Sequence, residues 1–207
     1  MDLKLTGHNV IITGGTKGIG RAIAETLAEE GCNIAICARN ADDVSSAVAS
    51  LSAKGVKVTG QALDVADGDA FAAWINSVGE ELGGIDAFVS NVSGGNAPGD
   101  AGWISQFNYN ILSAVHGVEA CKPFFEKSSN ASVVMISTTA ALEHFMNAGP
   151  YNAMKAGLLN YSGALSQELG AKGVRVNAIS PGPVFIEGGS WDKIKQGMTA
   201  FYDSTLA

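Results

Sequence analysis

Short runs of apolar, β-branched residues recur along the chain at 9–13, 33–38, 56–63, 85–90, 132–137 and 174–179, and each reads as a strand. Longer segments of helical length separate them. The first surrounds Ile23 and Leu27, where alanines give a small-residue apolar face, and 42–53, 69–82, 103–125 and 151–169 follow. This alternation predicts an α/β, doubly wound parallel β-sheet with helices on both faces and right-handed crossovers. Ligands of such sheets bind beyond the carboxyl ends of the strands, where strand order reverses. Pro123 falls inside the fourth of these helices and marks a kink or a break. The loops after Asn91 and Pro181 are rich in Gly, Pro and Ser, as suits mobile segments over a site.

With 207 residues, 46% of them hydrophobic, the chain can bury a substantial core and reads as one domain over 1–207. A net charge of −7 argues against a nucleic-acid partner. No apolar run approaches the roughly 20 residues that span a bilayer, and 1–10 lacks the pattern of a secretory signal, so a cytoplasmic location and no membrane partner are expected. Cys32, Cys37 and Cys121 fit neither a disulfide framework nor a metal spacing and read as buried thiols; no metal is expected.

Candidate chemistry centres on Tyr151 and Lys155, which leave the same helix face one turn apart. A phenol must lose roughly 3 units from its pKa of about 10 to exchange protons near neutrality, or about 4 kcal/mol. A cation about 4 Å away supplies roughly that much at an effective dielectric of about 20. The turn Thr13-Gly14-Gly15-Thr16-Lys17-Gly18-Ile19-Gly20 follows the first strand and opens the first helix, where backbone amides meet a pyrophosphate. Its glycine spacing differs from Gly-x-Gly-x-x-Gly. The second strand ends in Cys37-Ala38-Arg39-Asn40, without the carboxylate usual in NAD sites, so Arg39 and Lys17 favour the 2′-phosphate of NADP(H) over NAD(H). Asp64, before Val65, is placed either to accept from adenine or to cap a turn.

The glycine turn, Asn110, Ser137-Thr138, Tyr151-x-x-x-Lys155 and Asn177-Ala178-Ile179-Ser180-Pro181-Gly182, in this order, resemble the classical short-chain dehydrogenase/reductase family, its 3-oxoacyl reductase-like members included. The resemblance runs over 5–187. It implies a Rossmann-type fold, a nicotinamide cofactor and hydride exchange with a small-molecule carbonyl or secondary alcohol. Tyr151 would be the general acid or base, Lys155 would lower its pKa and hold the nicotinamide ribose, and Asn110 would order a proton path. Thr138 or Ser137 would polarise the carbonyl. Gly14, Thr16, Lys17, Gly18, Ile19, Gly20, Arg39, Asp64, Val65, Asn91, Pro181, Gly182 and Val184 would line the cofactor, and relatives pair their fourth and fifth helices into homodimers or homotetramers.

Several positions depart from the family. Ser90-Asn91-Val92-Ser93-Gly94 stands where relatives carry Asn-Asn-Ala-Gly, and Ile186 where they often place a threonine for the cofactor phosphates. The family's C-terminal helix and final strand find no counterpart before Ala207. The segment 188–207 reads as a substrate lid, and Phe145, Met146, Phe185, Trp191 and Met198 as an apolar pocket. A thioester on an acidic carrier would need a local basic patch at Lys127 and Lys172. The departures also motivate a second reading, a non-catalytic NADP(H)-binding or regulatory protein.

Overall fold

The computed structural model describes residues 3–95, 97–144 and 148–206. Six strands, β1 (Asn9–Thr13), β2 (Asn33–Ala38), β3 (Val58–Ala62), β4 (Ala87–Ser90), β5 (Ser132–Ile136) and β6 (Arg175–Ile179), form one sheet in the order β3-β2-β1-β4-β5-β6. Every pairing is parallel. The order reverses between β1 and β4, so their carboxyl ends open a crevice there.

All five residues of β1 are buried, because helices cover both faces of the sheet. Side chains alternate between two apolar layers. Val10, Ile12, Ile34 and Ile36 meet Ala24 and Ala28 of α1 (Gly18–Glu29) and Ala47 and Leu51 of α2 (Ala41–Ser52). Ile11, Phe88, Val133 and Met135 meet α3 (Gly68–Leu82), through Phe71, Trp74 and Ile75, and α5 (Ser113–Phe125), through Val118 and Cys121. Leu158, Leu165 and Leu169 of α6 (Pro150–Gly170) complete that layer. Helix starts are fixed locally: the Asn40 side chain accepts from the Asp43 amide at 2.8 Å and Asp67 from the Ala70 amide at 3.1 Å. The Asn40 cap ends β2 and leaves Arg39 in the loop at the crevice.

The expected helix 103–125 is not one helix. It starts earlier, as α4 (Gly99–Phe107), passes through a π-helical turn at Asn108–Leu112 and resumes as α5. Pro123 does not break α5, which runs on to Phe125; it sits in the last turn. The segment after Gly188 folds into two short helices, α7 (Ser190–Gly197) and α8 (Thr199–Leu206). They pack through Trp191, whose ring stacks on Phe201 at 6.3 Å and 12° and meets Tyr202 at 6.3 Å. Among the described residues β6 is an edge strand, with Arg175, Asn177 and Ile179 exposed. Among the described residues no helix is long and apolar enough to cross a membrane.

Candidate active site

Two cavities share Ser93 and Gly95 beyond the carboxyl ends of the strands. One, of about 620 Å³, is lined by the ends of β1 to β4: Gly14, Thr16, Lys17, Arg39, Asp64, Val65 and Asn91 are all on its wall. Gly18, Ile19 and Gly20 are not on that wall; they form the first turn of α1. Gly14 has φ +66°, a conformation that disfavours a side chain, and a Cβ on Gly20 would lie 2.3 Å from the Gly14 carbonyl oxygen. Both glycines are therefore demanded by the backbone itself. The Asn91 side chain donates to the Thr13 carbonyl at 2.9 Å, and its amide donates to the Thr13 hydroxyl at 2.9 Å, which laces β4 to β1 at the crevice. Asn91 thus has a structural task despite the altered residues around it.

The cations of this cavity are engaged. Lys17 pairs with Asp43 at 2.7 Å in an exposed contact, and the Arg39 guanidinium lies 5.7 Å from the Tyr109 ring centre. Asp64 does serve as a turn cap, accepting from the Ala66 amide at 3.0 Å. Its other oxygen accepts from the Tyr109 hydroxyl at 2.6 Å. Burial first, and then this carboxylate, raise the Tyr109 pKa, so the phenol stays a donor.

The second cavity, of about 810 Å³, brings together Thr138, at the end of β5, and Tyr151, in the first turn of α6. Pro150 opens that helix, where its missing amide costs nothing and its fixed φ suits the first turn. One turn beyond Tyr151, Lys155 is 2% exposed and donates to the Ile136 carbonyl at 2.6 Å. Burial pushes its pKa down to about 8. The two hydroxyls left open by the sequence differ in place. Ser137 is buried and donates to the Lys155 carbonyl at 3.1 Å, whereas Thr138 faces the cavity and accepts from the Ala140 amide at 3.3 Å. Among the described residues the Thr138 hydroxyl hydrogen has no acceptor.

Asn110 lies in the π turn, 1% exposed. Its amide nitrogen donates to the Gln106 carbonyl at 3.0 Å and to the Gln106 side-chain oxygen at 2.5 Å. Its own oxygen is buried without a hydrogen-bond partner among the described residues. Gln106, also 1% exposed, donates in turn to Gly94 O at 2.9 Å and Gly95 O at 3.3 Å. Gln106 and Tyr109 were not foreseen. The Gln106–Asn110 spacing was a usable signal, but the partner of Tyr109 is 45 residues away.

Gly182, Trp191 and Met198 line the second cavity; Phe185 does not, being half exposed with Lys195 over its ring at 5.2 Å. Phe145 and Met146 lie outside the described residues. Pro181 accepts from the Thr139 amide at 3.0 Å, and Val184 is 38% exposed; neither is on a cavity wall. Ile186 packs against the Gly18 backbone. Lys172 is paired with Glu126 at 3.4 Å, so the basic patch expected at Lys127 and Lys172 is partly neutralised. The three cysteines are free and buried, with Cys32 raised to about 11 and Cys37 to about 12 by burial.

The donors suit a nicotinamide dinucleotide: a glycine turn that admits close backbone approach, an adjoining cavity with two cations, and, in the π turn, a buried amide oxygen unpaired among the described residues. Comparison with known proteins identifies the family. The family model described as short chain dehydrogenase matches residues 8–189. The chain is 37% identical over 195 residues to isoepoxydon dehydrogenase of Penicillium expansum, covering 91% of this chain and 74% of that protein. Its fold matches L-sorbose reductase of Gluconobacter frateurii, solved with NADPH and L-sorbose, at a TM-score of 0.88 and 29% identity, over 99% and 81% of the two chains. It also matches an NAD⁺-bound xylitol dehydrogenase at 0.84 and 27%, over 94% and 78%. With the matched model spanning most of its length, the chain belongs to the short-chain dehydrogenase family and is an oxidoreductase of the CH–OH/C=O class.

Proposed function

We propose that the chain interconverts a small-molecule carbonyl compound and its secondary alcohol with NADP(H), using Tyr151 as the proton donor in reduction and the acceptor in oxidation. One observation carries the reading: Thr138 and Tyr151 come from different elements onto one cavity wall, with the Lys155 ammonium buried one turn behind. The dinucleotide supplies the hydride. Thr138 donates its free hydroxyl hydrogen to the carbonyl oxygen, orienting it, while Tyr151 holds the proton that oxygen receives. Lys155 places a positive charge one helical turn from Tyr151. Asn110 offers its unpaired oxygen to the path that returns the proton from solvent, and α7 and α8 cover the substrate.

Gly14 to Gly20, Asn91 and Lys155 would hold the dinucleotide, with Val65 and Asp64 at the adenine end and Pro181, Gly182 and Val184 along the nicotinamide. NADP(H) is favoured because β2 ends without a carboxylate and both Arg39 and Lys17 border the cavity, although Asp43 shares that wall. The exposed Lys17–Asp43 pair is worth at most about 1 kcal/mol, so a phosphate can displace it. A homo-oligomer formed through the segment α4–α5 and through α6, the expected fourth and fifth helices, is the assembly in keeping with this reading.

The decisive experiment is Tyr151→Phe, which keeps the ring and removes the donor. Cofactor affinity is expected to survive while kcat falls at least about a hundredfold. Unchanged turnover would overturn the assignment. Arg39→Ala is the test of the cofactor, with the ratio of NADPH to NADH affinity expected to drop at least about tenfold.

A further inference from the structure

The larger cavity has a composition that restricts what can enter it. Its described lining contains no Lys, Arg, Asp, Glu or His, and its polar groups, Thr138, Thr139, Tyr151 and Asn152 among them, are hydroxyls and amides. The opposite chemistry comes from α7 and α8, where Trp191 and Phe201 stack at 12° and Ile194 and Met198 accompany them on the wall. Two of the three charged side chains of α7 are engaged elsewhere. Asp192 accepts from the Gly188 amide at 2.8 Å and from Gln196 at 2.9 Å, and Lys195 lies over the rings of Phe185 and Tyr202 at 5.2 and 5.5 Å. None of them lines the cavity.

From this we infer that the substrate is an uncharged ring compound, a cyclic ketone or its alcohol; the inference rests on the dehydrogenase reading above and specifies its substrate class. Three physical arguments lead there. A carboxylate or phosphate against this wall loses its hydration without a cationic side chain in contact, the Lys155 ammonium being buried behind it on the Ile136 carbonyl, so charged keto acids and nucleotide thioesters are disfavoured at the reacting centre. Stacked aromatic rings give a broad apolar face that a ring covers more completely than a chain can. A ring also loses less conformational freedom on binding than an open chain of equal carbon count. The glycines and alanines on the wall, Gly94, Gly95, Ala97 and Ala148, leave room for breadth. A volume of about 810 Å³ is in the range of small-molecule sites and must also admit the nicotinamide.

The test compares three ketones of equal carbon count: 2-decalone, a neutral bicycle; 2-decanone, an open chain; and 9-oxodecanoate, which carries a carboxylate. Dissociation constants are measured by calorimetry on the full chain saturated with NADP⁺, with which no ketone turns over. Binding of 2-decalone is expected to be at least about tenfold tighter than 2-decanone and about a hundredfold tighter than 9-oxodecanoate. Trp191→Ala and Phe201→Ala are each expected to weaken 2-decalone at least about tenfold and 2-decanone less than about threefold, with NADP⁺ affinity retained as the sign of an intact fold. Equal binding of ring and chain, tighter binding of the keto acid, or no binding of 2-decalone overturns the inference, and the wild-type series decides this even where a variant folds poorly. NADPH oxidation by the same ketones separates the two levels. Ring preference in binding without turnover of any ketone sinks the dehydrogenase reading alone, while turnover without ring preference sinks only the substrate class.

Discussion

Ser137 and Thr138 carry the same hydroxyl one residue apart, and extended backbone sends them to opposite sides of the β5 terminus. Ser137 turns inward to the Lys155 carbonyl and Thr138 outward to the cavity. Ser137→Ala is expected to cost about 1 kcal/mol of stability with kcat nearly unchanged. Thr138→Ala is expected to lower kcat about a hundredfold or more with little effect on stability, as does losing a donor to a developing oxyanion. Denaturant titration and steady-state kinetics on both variants check this, and the reverse pattern would make Ser137 the substrate contact. In the smaller cavity, the Tyr109 hydroxyl already occupies one oxygen of Asp64. That residue was invisible in the sequence, because its meaning lies in a partner on another strand end.

Among the elements, the π turn decides most. The Ser113 amide bonds five residues back to the Asn108 carbonyl, and the Ser113 hydroxyl donates to the Tyr109 carbonyl at 2.6 Å. Asn110 does the same for Gln106. Side chains thus satisfy carbonyls at the place where the helical ladder changes pitch, and a π turn costs little there. The spacing and composition of 103–125 identify a helix but carry no signal for one inserted residue. Gln106 then links Asn110 to the Gly94–Gly95 backbone, which borders the larger cavity, Gly95 bordering both. Gln106→Leu is expected to leave buried partners unpaired, costing about 1–3 kcal/mol of stability, and to raise KM for cofactor and substrate by more than it lowers kcat. Kinetics with both ligands varied will show it; a fall in kcat alone would place Gln106 in the proton path instead.

For the whole molecule, the buried ammonium of Lys155 sets a cost on folding that depends on pH. Its folded-state pKa, about 8, lies below the ordinary 10.5. Between these values the unfolded chain holds the proton more tightly, so stability rises with pH in that window. Below pH 8 the cost is fully present. Relative to Lys155→Met, which has no such charge, the wild type is expected to gain about 2 kcal/mol between pH 7 and pH 10, read from urea unfolding at both values. A constant difference would mean that Lys155 stays charged throughout. The same titration predicts that reduction slows as pH rises past about 8, through loss of the charge behind Tyr151.

Sequence alone determined the six strands, the layer of helices, the glycine turn and the one-turn spacing of Tyr151 and Lys155, because each depends on local period or spacing: alternation of β and α, a backbone that needs glycine, one helical turn. The tertiary structure alone decided which hydroxyl meets the cavity, that Lys155 is tied to the Ile136 carbonyl, and that Gln106 and Tyr109 belong to the site. It also decided that the described wall of the larger cavity contains no Lys, Arg, Asp, Glu or His. These facts depend on where a parallel sheet brings the ends of distant strands and how burial then limits their partners, and no period along the chain encodes that.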